Sequence, residues 1–318
     1  MTTIVSQIVS ANEDGAIHQA VEQLIAGNLV ALPTETVYGL AADALSDAAV
    51  QQIYTTKGRP VGNPLICHVA SIAMADKYVV VNTIAKKLMK KYWPGPLTLV
   101  LPQRENNAIP ATVSAGLQTL AVRCPASDIT KSIIAELGRP IAAPSANASG
   151  KLSPTSAADV VESLGGKVPL ILDGGETSIG IESTIIGIAG SNITLLRPGT
   201  ITIDEISETT GLPVLDRDET QITAPGQLKS HYAPNAAVRL NATSKEPTET
   251  LIGFGEITGD FTLSASGNLA EAAQNLFALL RKADAAGTAT IAVAPIPQFG
   301  IGLAINDRLK RAAAPRGL

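Results

Sequence analysis

The feature that most constrains the fold of this chain is a series of short aliphatic runs, each about as long as a β-strand. These runs lie at residues 29–32, 65–69, 97–101, 120–124, 141–143, 170–172 and 183–188. Between several of them apolar residues recur at helical spacing, as in Ile17, Val21 and Leu24 before Gly27. Runs of strand length that alternate with helical patterns predict an α/β fold built on one mixed sheet.

The composition agrees with layered packing. Hydrophobic residues make up 45% of the chain but aromatic residues only 3%, so the interior must consist mainly of Ala, Val, Ile and Leu. Because 318 residues exceed the length of one average domain, we expect two domains of unequal size.

The domain boundary is indicated by a helix followed by a proline-rich connector. Thr202 and Glu205 have the spacing of a capping box, which predicts a short helix that ends before Gly211 and closes a domain of residues 1–211. Residues 212–235 contain several prolines without sustained periodicity, as a linker does. The remainder, residues 236–318, predicts a small α/β domain. Its pattern is strand (237–240), strand (250–255), helix (269–286), strand (288–294) and a terminal helix.

Charge and cysteine content exclude some classes of protein. A formal net charge of −4 disfavours a protein whose main role is to bind nucleic acid. Five lysines do cluster at residues 77–91 on a predicted helix, but a solvated helix face is the simpler interpretation of that cluster. Cys67 and Cys124 each lie in an aliphatic run and are interpreted as small buried hydrophobes. The sequence shows neither a signal peptide nor a membrane span, so we expect a cytoplasmic location.

Several familiar catalytic motifs are absent. The chain has no GxxxxGK[ST], HExxH or GxSxG pattern. It has three histidines, and of these His18 is predicted on an exposed helix face. The remaining candidates for chemistry are short polar clusters placed where aliphatic strands end, which is where α/β sheets collect their ligands.

The first cluster follows a predicted strand, and the second lies immediately before one. Residues 33–40, PTETVYGL, offer hydroxyls and a carboxylate to a ligand, but on the pattern alone a capped turn into a helix is the simpler interpretation. Lys57 and Arg59 lie on a turn with Asn63 nearby; two cations fixed on a turn suit a polyphosphate, and the alternative is an ordinary exposed turn. His68 follows in the next strand, either as a functional group or as a hydrogen-bonded structural histidine.

Further candidates lie later in the chain. Arg123 falls inside an apolar run, so it should meet an anion, either a protein carboxylate or a ligand. The small residues around Ser145 and Asn147 permit close approach to a nucleotide or form a helix cap. The segment ESTI begins one strand and LRPG ends another, and both could join the same cleft. Residues 224–234 contain a His-Tyr pair flanked by prolines and are predicted to form a rigid arm that contacts something.

Taken together, these clusters resemble the YrdC-like threonylcarbamoyl-AMP synthases in their long form with an extra C-terminal domain. The matching segments are PTETVYGL, KGRP with NPL, WPGPLTLVLP, TLAVRCP, PSAN, ESTI, LRPG and PGQLKSHYAP, in this order. The resemblance implies a twisted mixed sheet with helices and a large electropositive cavity, and a smaller Rossmann-like C-terminal domain. The fold class is therefore expected to be α/β.

The resemblance also implies the activity. The expected substrates are L-threonine, bicarbonate or CO2 and ATP, the last assisted by Mg²⁺, and the expected products are L-threonylcarbamoyl-AMP and pyrophosphate. A separate threonylcarbamoyl transferase complex would then modify tRNA, so that contact of this chain with tRNA is expected to be only indirect or weak. The sequence does not indicate which residues would hold the metal.

Site residues follow from the same resemblance. The positions that match the family's threonine-binding residues are Thr36, His68, Arg123, Ala143 and Ser183. The positions that match residues around the nucleotide are Lys57, Arg59, Asn63, Thr119, Ser145, Asn147, Ser153, Arg197, His231 and Tyr232. Lys57 and Arg59 are the expected catalytic residues, because they would neutralise charge on the α-phosphate and on the leaving pyrophosphate. The His231-Tyr232 arm is expected to fold over ATP as a lid.

Two other functions remain open at this stage. A noncatalytic RNA-binding module would use the lysine cluster, although the net charge opposes it. A carbamoyl-AMP-forming relative, as in hydrogenase maturation proteins, would carry zinc-finger and acylphosphatase segments that are absent from this sequence.

Overall fold

The computed structural model describes residues 5–217, 224 and 231–315. The first strands of the large sheet are β1 (Gln7–Ser10), β2 (Val30–Leu32), β3 (Gly39–Asp43), β4 (Ile66–His68), β5 (Leu97–Pro102) and β6 (Thr119–Arg123). The remaining strands of that sheet are β7 (Ile141–Ala142), β8 (Leu170–Asp173), β9 (Thr184–Ala189), β10 (Asn192–Arg197) and β11 (Val214–Asp216). The helices around it are α1 (Ala16–Ile25), α2 (Asp47–Lys57), α3 (Ile72–Ala75), α4 (Thr83–Tyr92), α5 (Ala111–Ser114), α6 (Asp128–Leu137), α7 (Ala157–Leu164) and α8 (Ile203–Thr210).

The strands pair in the order β1-β8-β2-β3-β7-β4-β6-β5-β9-β10-β11. The sheet is mixed, because β4 runs parallel to β6 whereas β7 runs antiparallel to both β3 and β4. This register sets His68 beside Arg123 and Cys67 beside Ala142. The centre of the sheet therefore gathers side chains from segments that are far apart in sequence.

Helices cover both faces of this sheet. On one face, apolar residues of α2, α4 and α7 pack against the strands, for example Ile53, Leu88 and Val160. On the other face, Leu24 of α1 and Ile134 of α6 belong to a second apolar cluster. The predicted α/β architecture with a mixed sheet is confirmed.

Local signals account for many of the element ends. The hydroxyl of Thr202 accepts a hydrogen bond from the Glu205 backbone N–H, and the Glu205 carboxylate accepts one from the Thr202 backbone N–H, which completes the predicted capping box of α8. Gly211 then ends the helix with φ at 73°. One interpretation was wrong: the cluster at residues 33–40 leads into strand β3 and not into a helix.

The second domain is a small α/β unit. Its described elements are β12 (Ala237–Arg239), β13 (Glu249–Gly253), β14 (Phe261–Thr262), α9 (Leu269–Ala285), β15 (Thr290–Val293) and α10 (Ile301–Ala312). The strands are parallel in the order β12-β15-β13-β14, as expected for a Rossmann-like lobe. The predicted linker contains β11, which pairs with β10 and so extends the large sheet beyond Gly211.

The two domains pack closely against each other. Phe277 and Leu309 of the second domain share an apolar cluster with Val37, Leu152 and Ile181 of the first. At Gly180 a Cβ atom would lie 2.3 Å from the Gln274 carbonyl oxygen of α9, so only glycine permits this approach. No helix in the described part of the chain is long and apolar enough to cross a membrane.

Candidate active site

A cavity lies over the centre of the large sheet. Its lining combines three arginines, several hydroxyls, two histidines and one carboxylate. The residues that line it are Thr34, Thr36, Val37, Gly39, Arg59, Ile66, His68, Arg123, Ala143, Pro144, Ser145, Glu182, Ser183, Arg197, His231 and Tyr232. All five predicted threonine-binding residues are in this set, together with five of the predicted nucleotide-binding residues.

Arg123 is held at the cavity wall by three partners. Its guanidinium lies 2.6 Å from a carboxylate oxygen of Glu35 and donates hydrogen bonds to the Thr36 hydroxyl at 2.9 Å and to the Gly95 carbonyl at 3.2 Å. The Arg123 side chain is only 4% exposed, and a buried guanidinium needs an anionic partner. The sequence predicted such a partner, and the structure provides it as Glu35. Glu35 was not among the predicted site residues. Its ion pair with Arg123 connects the PTETVYGL cluster to strand β6.

Ser183 and Arg197 form a second polar corner of the cavity. Arg197, at the end of β10, donates from Nε and Nη2 to the Ser183 carbonyl at 3.0 and 2.9 Å, and from Nη2 to the Ser183 hydroxyl at 3.1 Å. The Ser183 hydroxyl also hydrogen-bonds the Thr98 hydroxyl at 2.7 Å. Gly199 permits this arrangement, because a Cβ there would lie 2.3 Å from the Thr184 backbone nitrogen.

Lys57 does not line the cavity. It is the last residue of α2, is buried, and its ammonium group donates to the backbone carbonyls of Ser145 at 2.5 Å and of Asn147. Burial and the nearby charge of Arg59 lower the pKa of Lys57 well below its ordinary value. In this structure Lys57 therefore supports the loop of residues 144–147 (PSAN) from behind. Its predicted role at the phosphates stays a prediction.

Arg59 is the cation of the KGRP turn that reaches the cavity. Its guanidinium donates to the carbonyls of Asn63 at 3.1 Å and of Pro64 at 2.8 Å, which fix it across the turn. Burial lowers the pKa of Arg59 to about 10, so the group remains positively charged at neutral pH. The amide of Asn63 is buried without a hydrogen-bond partner of its own within the described residues, and it lies off the cavity lining.

Three of the other predicted nucleotide residues lie off the cavity lining. Thr119 begins β6 and so lies at the opposite end of that strand from Arg123. The Asn147 side chain donates to the carbonyls of Ala148 and Lys151, and the Ser153 hydroxyl donates to Glu182 at 2.5 Å. Asn147 and Ser153 therefore hold the loops behind the cavity in this structure.

The His-Tyr pair of the arm does reach the cavity. His231 and Tyr232 both line it, with ring centroids 4.1 Å apart, and Tyr232 also packs 5.3 Å from the ring of Phe277 in α9. Tyr232 adopts φ of 59°, an unusual conformation for a non-glycine residue, and is buried. Of the predicted arm, residues 225–230 lie outside the described residues.

The charges around the cavity have a positive excess. Arg59, Arg123 and Arg197 are opposed on the described lining by one carboxylate, Glu182, which was not among the predicted site residues. Burial acts to raise the pKa of Glu182, but the charges of Arg308 and Arg197 outweigh it and hold that pKa below its ordinary value. A cavity of this charge can accept an anionic ligand.

Both cavity histidines are held neutral. Burial, with a further contribution from Arg123, lowers the pKa of His68 to about 3, and burial with the charges of Arg59 and Lys57 lowers that of His231 to about 3. His68 Nδ1 lies 3.3 Å from the Ile66 carbonyl oxygen, and His231 Nδ1 is buried without a described partner.

These pKa values predict an acid-sensitive fold. The unfolded chain protonates its histidines near pH 6.5 whereas the folded protein binds those protons only near pH 3. Stability should therefore fall as pH decreases through this window, by up to about 1.4 kcal/mol per pH unit for each histidine. The free energy of unfolding in urea is measured for wild type and His231→Gln at two chosen conditions, about pH 7.5 and about pH 5.5. The decrease on acidification should be smaller in the variant than in wild type.

His18→Gln is the matched control for that measurement, because His18 is exposed and its pKa is raised by a hydrogen bond to Glu136. The sign for His18 is opposite, so its removal should not reduce the loss of stability at low pH. An equal dependence on pH in wild type and His231→Gln would contradict the prediction.

The described residues do not form a resident Mg²⁺ site. They contain no group of three or more His, Cys, Asp or Glu side chains that could hold a metal ion. The two carboxylates nearest the cavity are already engaged, Glu35 with Arg123 and Glu182 with Arg308. Because Mg²⁺ prefers oxygen ligands and readily keeps water and substrate phosphates as its ligands, the predicted metal fits this cavity only as part of a bound nucleotide.

Comparison with known proteins decides the family. A family model described as "Telomere recombination", of the Sua5, YciO and YrdC group, matches residues 22–199, and a model described as "Threonylcarbamoyl-AMP synthase, C-terminal domain" matches residues 201–314. The chain belongs to the two-domain threonylcarbamoyl-AMP synthase family. The sequence-based assignment to this family of enzymes is confirmed.

Individual members of the threonylcarbamoyl-AMP synthase family resemble the chain over nearly its whole length. The protein of that name from Pyrococcus abyssi is 41% identical over 99% of this chain and 98% of its own length. The one from Bacillus subtilis is 40% identical over 96% of this chain and 95% of its own length. The crystal structure of P. abyssi Sua5 complexed with L-threonine superposes with a TM-score of 0.87, at 39% identity, and covers 98% of this chain and 97% of that one.

Proposed function

We propose that this chain synthesises L-threonylcarbamoyl-AMP from L-threonine, bicarbonate or CO2 and ATP, with release of pyrophosphate. The main support is the convergence of Arg59, Arg123 and Arg197 on one cavity that also presents hydroxyl groups. Such a cavity suits two anionic ligands, a carboxylate and a polyphosphate, held side by side. The similar P. abyssi protein has been solved with L-threonine bound.

Threonine would bind at the Arg123 corner. The Glu35 carboxylate already lies against one edge of the Arg123 guanidinium. An amino acid would present the same chemical group, a carboxylate. His68 is neutral and Thr36 and Ser183 offer hydroxyls, so the amine and hydroxyl of threonine would meet uncharged hydrogen-bonding partners. Ala143 would contribute main-chain contacts beside Ile66.

The chemistry needs positioning more than acid or base catalysis. The threonine amine and CO2 form a carbamate, whose oxygen attacks the α-phosphorus of ATP while the bond to pyrophosphate breaks. The carbamate is already a nucleophile, which agrees with the absence of a catalytic triad in the sequence. Arg59 and Arg197 would stabilise charge on the phosphates, and Mg²⁺ would enter with the nucleotide as part of the substrate.

The remaining assignments of the nucleotide site are part of the same proposal. Ser145 lines the cavity and would contact the nucleotide, while Lys57, Asn147 and Ser153 would act through the loops they hold. His231 and Tyr232 would close over the bound nucleotide and keep water from the carbamate. Thr119 retains its predicted nucleotide contact only if the ligand extends past the described cavity lining.

The product would pass to a separate threonylcarbamoyl transferase complex that modifies tRNA, and we propose the cytoplasm as the location. An RNA-binding function finds less support, because the lysines of α4 lie on an exposed face of an acidic protein. Strong, salt-dependent tRNA binding without ATP turnover would favour it. Turnover with carbamoyl phosphate would favour the carbamoyl-AMP alternative.

One assay tests the proposed reaction directly. The protein is incubated with ATP, Mg²⁺, bicarbonate and isotopically labelled threonine, and the products are analysed by mass spectrometry. We expect pyrophosphate and a labelled adenylate in equal amounts, both dependent on threonine and bicarbonate. Formation of AMP or ADP without a threonine-containing adenylate would refute the proposal.

Arg59→Ala should lower kcat/KM for ATP at least about tenfold, because one charge-assisted contact to a phosphate is lost. Arg104→Ala is the control, since Arg104 pairs with Asp76 on an exposed surface. Steady-state kinetics at saturating threonine measures both variants. An unchanged kcat/KM in folded Arg59→Ala would remove Arg59 from the phosphate site.

A further inference from the structure

Arg308 is a fully buried arginine on α10 of the second domain. Its side chain is 0% exposed, yet it lies against the first domain. Nε donates to a carboxylate oxygen of Glu182 at 3.1 Å. Nη1 donates to the Pro198 carbonyl at 2.6 Å and to a carboxylate oxygen of the adjacent Asp307 at 3.2 Å. Removing an arginine from water costs free energy, and here hydrogen bonds and an ion pair offset that cost. These contacts indicate that the buried guanidinium has a role at the domain interface.

Its principal partner, Glu182, is the one carboxylate on the described cavity lining. The second carboxylate oxygen of Glu182 accepts a hydrogen bond from the Ser153 hydroxyl at 2.5 Å, so both oxygens are held. Without Arg308 this carboxylate would lose its ion-pair partner, and only Arg197 and the Ser153 hydroxyl would offset the negative charge that it presents to a phosphate in the cavity. Attraction by Arg59 and Arg197 would then be partly cancelled.

The same guanidinium also touches the segments on either side of the site. The Pro198 carbonyl that it binds directly follows Arg197, and its central carbon lies 5.6 Å from the ring centroid of Tyr232. One side chain of the second domain therefore contacts three cavity-forming segments of the chain.

We propose that Arg308 is a positioning residue of the nucleotide site, which neutralises Glu182 and thereby lets the cavity accept a polyphosphate. This inference rests on the proposed function and adds to it a role for the second domain. The second domain supplies the countercharge of a carboxylate in the first domain, and the site is electrostatically complete only when the two are packed together.

The test compares nucleotide affinity across a double-mutant cycle in the full-length chain. Binding of α,β-methylene-ATP with Mg²⁺ is measured by calorimetry for wild type, Arg308→Met, Glu182→Gln and the double variant. Arg308→Met should bind the analogue at least about tenfold more weakly, because a buried carboxylate is left unpaired beside the phosphates. In the Glu182→Gln background the same substitution should weaken binding by about threefold or less.

Lys310→Met is the matched control, because Lys310 lies on the same helix with an exposed side chain and loses the same charge. Its affinity should equal that of wild type. Should Arg308→Met not fold, a tenfold or greater loss of affinity in the double variant relative to Glu182→Gln would still overturn the inference, since both lack the buried negative charge. Circular dichroism verifies folding in each case.

Two results would overturn the inference. One is an affinity of folded Arg308→Met equal to that of Lys310→Met. The other is an undiminished loss of affinity when Arg308→Met is added to Glu182→Gln, which would show a structural role independent of the carboxylate. Failure of the proposed function gives a different result. A wild-type protein that binds the nucleotide but makes no adenylate refutes the proposed reaction and leaves the coupling between Arg308 and Glu182 measurable. A wild-type protein that binds no nucleotide refutes both the proposed reaction and the proposed role of Arg308.

Discussion

Replacing Arg123 with Met should lower kcat/KM for threonine by at least about 100-fold, equivalent to about 2.7 kcal/mol. The variant loses the cationic partner proposed for the substrate carboxylate and also leaves Glu35 as a buried, unpaired charge that repels it. Threonine affinity, measured by calorimetry without ATP, should decrease in parallel. Nucleotide affinity should change far less, because Arg59 and Arg197 remain.

Arg139→Met provides the matched control for Arg123→Met. Arg139 also pairs with a buried carboxylate, that of Asp43 at 3.1 Å, but neither residue lines the cavity. A loss of stability common to both variants therefore reports the broken ion pair, and a loss of threonine affinity in Arg123→Met alone reports the binding site. Wild-type threonine affinity in Arg123→Met would place the amino acid elsewhere.

Truncation after Arg217 should lower the rate of adenylate formation at least about 100-fold while leaving the first domain folded. This end point keeps β11 paired with β10, whereas a cut at Gly211 would remove that strand from the sheet. The truncated chain lacks His231 and Tyr232 at the cavity wall and lacks Arg308 beside Glu182. The Arg123 corner is formed wholly by the first domain and stays intact.

The sharpest readout is therefore the contrast between the two substrates. Threonine should still bind the truncated chain, while ATP binding should be greatly weakened. Folding is checked by circular dichroism and by thermal unfolding, where some destabilisation is expected because Val37, Leu152 and Ile181 lose their apolar cover. Full activity of a folded truncated chain would exclude any part of the second domain from the site.

The elements with local signals were predictable from sequence. The seven aliphatic runs became β2, β4, β5, β6, β7, β8 and β9, because a short aliphatic run is a local pattern typical of a buried strand. The capping box of α8 needs only two residues three positions apart, and the structure has it as predicted. Strand β3 was missed because Gly39 begins it directly after a cap-like turn. It pairs antiparallel with the neighbouring β2, and its other partner, β7, is about 100 residues away in sequence.

The candidate site was predictable in part. Arg123 could be singled out because a lone cation in an apolar run demands an anion, but its partner Glu35 is supplied by a turn 88 positions earlier in the chain by residue number. Lys57 and Arg59 were both predicted to contact phosphates because both are cations on the same turn. Whether each points into the cavity depends on the direction in which α2 ends, and only the folded loop decides that.

The sequence by itself determined the α/β class, the order of the strand-forming runs and the membership of the family, because each depends on local patterns read along the chain. The tertiary structure decided which of the polar residues share one cavity and that Glu182 there is neutralised by Arg308 of the other domain. The physical reason is that charge compensation depends on distance in space, and residues 182 and 308 are brought together by the packing of two domains.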